Sequence, residues 1–175
     1  MNARRSFGRF AVAALFGALA VGCARAPRDH GGGGRWIAEA EHRHALADQQ
    51  LQAGNVRAAR EALLGIVDGR APAGLPASDR RSVLQDTFFR LAEIDLGARD
   101  PRAALAFAER GLALGEADDL FVANLLVVRG AAHEALDDGA AAASDYHAAL
   151  MINDRLLAET LHGPADASAA AGDAP

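Results

Sequence analysis

Between residues 36 and 162, the hydrophobic positions follow helical patterns that alternate with short polar breaks. Three segments, 45–67, 90–114 and 128–152, align with one another. Each reads as a helix, a turn that holds Gly or Asp, and a second helix that opens with alanines. The pattern therefore predicts an all-α chain that is built from repeated helical hairpins.

Small and large apolar residues recur at the same places in the three segments. They are Ala47, Ala59, Leu63, Ile66 and Val67, then Ala92, Ala104, Ala108, Gly111 and Leu112, then Gly130, Ala142, Tyr146, Ala149 and Leu150. Small residues are needed where the two helices of a hairpin cross closely, and larger ones fill the adjoining holes. These positions resemble the signature of the tetratricopeptide repeat, a helix-turn-helix unit of about 34 residues.

The resemblance implies a short right-handed α-solenoid of about three tetratricopeptide units plus a C-terminal capping helix. The extra residues between units are expected in a loop at 68–80 and around 115–119. After the third unit, Asn153 is expected to cap a short helix that ends near Leu161. Its leucines would cover the exposed end of the stack; they are Leu156, Leu157 and Leu161.

Gly111 is an unusual choice inside a predicted helix, at a position where the repeat family usually has alanine. Glycine costs about 1 kcal/mol of helix propensity relative to alanine. A closer approach of a neighbouring helix would justify that cost.

The first 22 residues have the composition of an export signal. Arg4, Arg5 and Arg9 precede an uncharged, mostly apolar run from Phe10 to Gly22. Because this run is shorter than the ~20 residues of a membrane-spanning helix, it predicts a signal peptide that is removed. The segment 4–7 also resembles a twin-arginine motif, so two export routes stay open.

Cys23 is the only cysteine of the chain, so no internal disulfide can form. It ends the segment Leu-Ala-Val-Gly-Cys at 19–23, which resembles the lipobox of bacterial lipoproteins. The resemblance implies a diacylglyceryl thioether on Cys23, cleavage before it and acylation of its new amine. A small-x-small site at 24–26 is the competing cleavage site, although Pro27 would follow that cut.

Ala24 follows the lipobox, where aspartate would be the inner-membrane retention signal. Its absence predicts a protein that is anchored by lipid to the outer membrane and faces the periplasm. Two acyl chains are enough for stable anchoring.

Composition and the two resemblances together predict a signal peptide at 1–22, a lipidated and flexible Gly-rich linker at 23–35, a repeat domain at 36–162 and a disordered tail at 163–175. The linker would reach at most roughly 40 Å when stretched. The tail has no large side chain to bury.

Charge and motifs favour binding over catalysis. The net charge of −5 argues against a nucleic-acid binder, since phosphate contacts need clustered positive charge. The chain has no nucleophile elbow, phosphate loop or dinucleotide fingerprint. On a helix, His42 and His44 point in nearly opposite directions and cannot share a metal ion. We therefore expect neither enzymatic activity nor a metal or other cofactor.

In tetratricopeptide arrays, the first helix of each unit lines a concave groove that binds ligands. The corresponding residues here are Glu41, His44, Asp48, Asp86, Phe89, Arg90, Glu93, Asn124, Val127 and Ala131. This set is acidic and partly apolar, with Arg90 as its only cation. It would suit a basic or amphipathic segment of a protein partner, with Phe89 as an anchor. In the alternative interpretation, these acids only solvate a helix face.

The leader and the repeats together predict a membrane-anchored periplasmic adaptor or scaffold that takes part in cell-envelope assembly. Tetratricopeptide lipoproteins of this build include pilotins for type IV pili and adaptors that hold peptidoglycan hydrolases, and the residues do not choose between them. A periplasmic protein that binds a small ligand or peptide in its helical cavity is the alternative from another class.

Overall fold

The structure, a computed structural model, describes residues 31–115 and 119–162. Its six α-helices are α1 (Gly31–Gln52), α2 (Val56–Val67), α3 (Ala77–Gly97), α4 (Pro101–Leu112), α5 (Leu120–Ala135) and α6 (Gly139–His162). No strand occurs within these two ranges. The prediction of an all-α fold is confirmed.

The helices pair into three hairpins, α1–α2, α3–α4 and α5–α6, and the hairpins stack in chain order. Backbone contacts join α1 to α3 and α3 to α5. In the described part of the chain, the even-numbered helices make no such contacts with one another. The odd-numbered helices therefore form the closely packed side of the stack, and the even-numbered helices splay apart on the other side.

The three hairpin turns share one backbone conformation. Gly54, Arg99 and Asp137 hold equivalent positions and have positive φ angles of 76°, 62° and 64°. In each turn, the next residue donates its backbone N–H to the carbonyl five positions earlier, at 2.8 to 2.9 Å. This is the Schellman ending of a helix. The carboxylates of Asp100 and Asp138 then cap the following helices by accepting backbone N–H groups.

Small side chains lie where the helices of each hairpin cross. Ala47 and Ala59 in the first hairpin, and Ala92 and Ala104 in the second, are at most 1% exposed. Bulkier residues, of which Leu91 is completely buried, pack around them. Alanine at these four positions lets the helix backbones come close without leaving a cavity.

Gly111 marks a close approach between α4 and α5. A Cβ atom there would lie 2.7 Å from Leu125 Cδ2 and 3.1 Å from Phe88 Cβ. Leu125 is fully buried and has no room to swing away. Close helix packing therefore accounts for the glycine that helix propensity disfavours.

Two expected boundaries are wrong, the end of the flexible linker and the end of the first predicted loop. Helix α1 begins at Gly31, so the expected flexible linker does not extend over 31–35. The loop before α3 lies against these glycines, since a Cβ at Gly33 would sit 3.2 Å from Leu75 Cδ1. Helix α3 begins at Ala77, inside the loop that the sequence predicted. Packing of the loop on α1 favours a helical backbone at residues whose intrinsic helix propensity does not favour it.

The prediction of a separate capping helix is also wrong. Helix α6 runs without a break from Gly139 to His162, and Asn153 lies within it instead of capping a new helix. No glycine or proline interrupts α6 after its first residue, so each further residue adds a backbone hydrogen bond. Leu156 packs against the core, whereas Leu157 and Leu161 are 57% and 71% exposed.

Several expectations lie outside the described residues. They concern the signal peptide, the lipidated Cys23, the linker before residue 31, residues 116–118 of the second predicted loop and the tail at 163–175.

Replacing Gly111 with alanine is expected to destabilise the protein by about 1–2 kcal/mol. The added methyl group overpacks the contact with Leu125 and Phe88. The free-energy cost of this overpacking exceeds the gain in helix propensity that alanine brings. The matched control is Gly97→Ala, because a Cβ at Gly97 meets no atom within 4 Å. Urea unfolding should show a lower free energy of unfolding for Gly111→Ala only. Equal stability of Gly111→Ala and the native chain would contradict the tight crossing.

Candidate functional site

All ten residues of the predicted groove lie on the odd-numbered helices, three on α1, four on α3 and three on α5. Nine of them form two neighbouring clusters. A polar cluster joins α1 to α3, and an apolar pocket lies between α3 and α5. The tenth, Glu41, lines a different pocket at the start of α1.

The polar cluster is organised by the guanidinium group of Arg90. Its Nη1 donates to Asp48 Oδ1 at 2.9 Å, and its Nε donates to Asp86 Oδ2 at 3.1 Å. The first bond crosses from α3 to α1, and the second lies within α3. Arg90, the only cation expected in the groove, therefore already has two carboxylate partners, which leaves the groove acidic.

His44 links the same two helices. Its Nε2 lies 2.9 Å from the hydroxyl of Thr87, and its Nδ1 lies 3.3 Å from Asp86 Oδ2. The Thr87 hydroxyl donates to the carbonyl of Val83 at 2.7 Å. Burial lowers the pKa of His44 below its usual 6.5, while the negative charge of Asp86 opposes that shift. His44 is thus a neutral part of the cluster at pH 7.

The apolar pocket has a volume of about 330 Å³. It is lined by Phe89, Glu93, Leu96, Asn124, Val127, Val128 and Ala131. Val127 is 44% exposed, an unusual state for valine in a helix that packs on both sides. Desolvation beside this pocket raises the pKa of Glu93. An aromatic ring, aliphatic side chains and one carboxylate therefore face the same small space.

Sequence reasoning missed three members of these clusters. Leu96 lies one helical turn after Glu93, so the helical period could have added it to the groove face. Val128 could not be assigned in this way, because it is also a buried core residue. Thr87 is a buried hydroxyl in the middle of α3, and only the packing of α1 on α3 reveals its contact with His44.

A second cavity, of about 520 Å³, lies between α4, α5 and α6. Its walls include Leu112, Leu126 and Ile152 together with Arg129. The Arg129 Nε donates to Asp145 Oδ2 at 2.8 Å, so this arginine is neutralised within the fold.

Two further findings apply to residues 31–115 and 119–162. No helix there is long and apolar enough to cross a membrane. No three or more His, Cys, Asp or Glu side chains there are grouped so that they could hold a metal ion.

No model of a known protein family matches the chain, and a search of curated proteins also finds no match.

Lowering the pH from 7.5 to 5.5 is expected to destabilise the native chain through His44. Because its folded-state pKa lies below 6.5, the unfolded chain takes up a proton first, and the free energy of unfolding falls as the pH drops through that value. His44→Gln should flatten this dependence, whereas the exposed neighbour His42→Gln should not. Thermal unfolding at a series of pH values measures the difference. If His44→Gln lost more stability than the native chain between pH 7.5 and 5.5, attraction to Asp86 would outweigh the effect of burial on His44.

Proposed function

We propose that the protein is a lipid-anchored tetratricopeptide lipoprotein of the outer membrane that faces the periplasm. It acts as an adaptor that binds a basic or amphipathic segment of a cell-envelope protein. The observation that carries this proposal is the pairing of the acidic cluster on α1 and α3 with the apolar pocket on α3 and α5.

Three repeated features support the assignment to tetratricopeptide units. In each hairpin, two small buried residues are separated by the same interval, as in Ala92 to Ala104. In each turn, a residue with a positive φ angle precedes an Asn or Asp. The odd-numbered helices also pack more closely than the even-numbered ones. A right-handed solenoid with the odd-numbered helices on its concave side would have all three features.

Charge supports a basic or amphipathic partner. Among the ten groove residues, Glu41, Asp48, Asp86 and Glu93 are acidic, and only Arg90 is a cation. A basic side chain could reach the exposed carboxylates while an apolar one enters the pocket beside Phe89. Acidic walls also disfavour an anionic ligand such as a C-terminal carboxylate.

The early start of α1 shortens the expected tether. If Cys23 carries the acyl chains, its backbone lies at most ~28 Å from Gly31 even when the intervening residues are fully stretched. The body would then be held near the membrane surface, with access only to partners close to it. An adaptor for membrane-proximal machinery, including a pilotin-like factor, fits this geometry.

The lipid anchor is tested by mass spectrometry of the N-terminus of the protein isolated from its host. We expect a chain that starts at Cys23 and carries acyl groups on its sulfur and amine. Ala24→Ser serves as the control, because it keeps the thiol and should be processed in the same way. An unmodified thiol, or a chain that starts at any other residue, would exclude the anchor.

The groove is tested by reversing charge at Asp48 and Glu93. Crosslinking in intact cells followed by mass spectrometry should show several-fold weaker capture of the partner by Asp48→Lys and by Glu93→Lys. Glu61→Lys is the matched control, since Glu61 is an exposed acid on α2 that lies outside the groove. Equal capture by all three variants would rule the groove out.

The size of the apolar pocket favours a second candidate function, the binding of a small ligand or peptide fragment. Pockets of about 300–1,000 Å³ are typical of small-molecule sites. Under this alternative, a compound from a metabolite panel should raise the melting temperature of the native chain but not of Phe89→Ala. If the protein is an adaptor, we expect no such compound.

A further inference from the structure

A further cavity, of about 530 Å³, lies between the loop that precedes α3 and the start of α3 itself. Three arginines line it: Arg70 from the loop, and Arg80 and Arg81 from the first turns of the helix. Among the described residues, no Asp or Glu lines this cavity. We call it the arginine cavity. It concentrates positive charge in a chain whose net charge is −5.

The fold supplies these three arginines with no anionic partner. Within residues 31–115 and 119–162, their guanidinium groups make no hydrogen bond or ion pair, and the Nε atom of Arg81 is itself buried. By contrast, Arg60, Arg90 and Arg129 each bind an aspartate. A buried donor without an acceptor is destabilising, so an acceptor from outside the fold is favoured at Arg81.

The walls of the arginine cavity are held in place by their neighbours. Gly115 has a φ angle of 138°, and a Cβ there would lie 3.3 Å from Arg81 Cδ and 3.6 Å from its Nη1. Glycine at 115 therefore meets both the backbone conformation and the close approach of the arginine. On the loop side, Gly74 has a φ angle of 90° inside a turn that Leu75 closes by donating its N–H to the carbonyl of Pro72. Ordered walls preorganise the site.

The amino end of α3 adds to the positive potential of the cavity. Its N-cap residue is Pro76, which makes no side-chain capping bond, and Ala77 lines the cavity. The N-terminus of a helix attracts anions through its free N–H groups and its dipole. Asp79, the acid of the first turn, lines the adjacent cavity beside α1. The helix end therefore supports the arginines and does not cancel their charge.

The arrangement of donors favours a phosphate group over a carboxylate. Guanidinium groups come from the loop and from two successive residues of α3, and a tetrahedral phosphate offers oxygens in several directions. A planar carboxylate pairs best with a single guanidinium fork. Beside the arginines, Leu75, Leu84 and Leu114 give the cavity an apolar wall. The matching ligand has a phosphate and an apolar part next to it.

The arginine cavity lies at the end of the domain that leads to the proposed anchor. A Cβ at Gly32 would lie 3.3 Å from Pro72 Cβ, so the loop that forms the cavity packs on the first turn of α1. From Gly31, the chain back to Cys23 spans at most ~28 Å. If Cys23 carries acyl chains, this end of the domain is therefore held close to the lipid headgroups.

We propose that the arginine cavity binds the phosphate group of an anionic phospholipid headgroup. Arg81 is the fixed donor, Arg70 and Arg80 are the exposed ones, and the leucines contact the glycerol and the first acyl carbons. The phosphate site stands on the cavity alone, whereas the choice of a lipid as its source rests on the proposed anchor. A second contact with the membrane would fix the direction in which the stack of helices faces.

Thermal unfolding of the protein, isolated in a non-ionic detergent, tests the site. Short-chain phosphatidylglycerol should raise the melting temperature, since a ligand of the folded state stabilises it. The dissociation constant from this titration should increase about fivefold in Arg81→Gln and in Arg70→Gln, the contribution of one arginine at an anionic lipid surface. Arg102→Gln, at an exposed position of α4 outside the cavity, is the matched control and should bind as the native chain does.

Circular dichroism checks that the variants keep their helices, and Arg70→Gln serves if Arg81→Gln does not fold, because Arg70 is exposed. Equal binding by the native chain and both cavity variants would overturn the proposal. It would show that Arg81 Nε is satisfied within the fold, for instance by Gln85 Oε1, the other buried atom without a partner among the described residues.

Inorganic phosphate and phosphatidylcholine separate the sources of the phosphate. Phosphatidylcholine, whose headgroup has no net charge, should stabilise the native chain less than phosphatidylglycerol does. Inorganic phosphate lacks the apolar part and should also be the weaker ligand. If inorganic phosphate binds as tightly as phosphatidylglycerol, the ligand is a soluble phosphate compound and the lipid assignment is wrong.

Two acids, Glu116 and Asp118, follow Gly115 in the sequence and lie outside the described residues. The double variant Glu116→Gln and Asp118→Asn should bind phosphatidylglycerol about as tightly as the native chain. Binding that appears only in this variant would show that the acids occupy the arginines, and it would overturn the proposal. These measurements do not require acyl groups on Cys23, so failure of the anchor and failure of the cavity are distinguishable.

Discussion

The structure depends on helices that cross through side chains no larger than a methyl group. Ala47, Ala59, Ala92 and Ala104 are buried almost completely at these crossings, and at Gly111 even a methyl group would collide with Leu125. Bulky side chains cannot be accommodated there, because the interior is close-packed. The close spacing in turn aligns the three hairpins, and the alignment brings α1, α3 and α5 side by side.

The candidate groove is a consequence of that alignment. Arg90 on α3 reaches Asp48 on α1, and His44 reaches Thr87, only because the two helices pack in one register. Phe89 and Val127 face a common pocket for the same reason, one hairpin further along. A change at a crossing residue would therefore alter the groove without touching any residue in it. The proposed adaptor function needs both the close crossings and the acidic, partly apolar surface that they create.

The first and last helices differ in polarity from the equivalent helices inside the stack. The first helix carries the ion pair of Glu39 and Arg43 where later units carry apolar residues. The last helix carries exposed leucines where earlier units are covered. Exposed leucines favour burial against another surface, whereas a charged pair at the surface does not.

The sequence alone determined the helical class, the three hairpins and the helices that carry the groove, because the period of apolar and small residues reports which face of each helix is buried. It also marked Gly111 as unusual for a helix, but only the packing shows the close contact there. Only the tertiary structure decided where α1 and α6 begin and end, since helix limits depend on packing as well as on propensity. Loop residue Leu75 lies against the glycines of α1, and nothing breaks α6 at Asn153. The partners of Arg90 and His44 likewise depend on the register between separate helices, which no local pattern records.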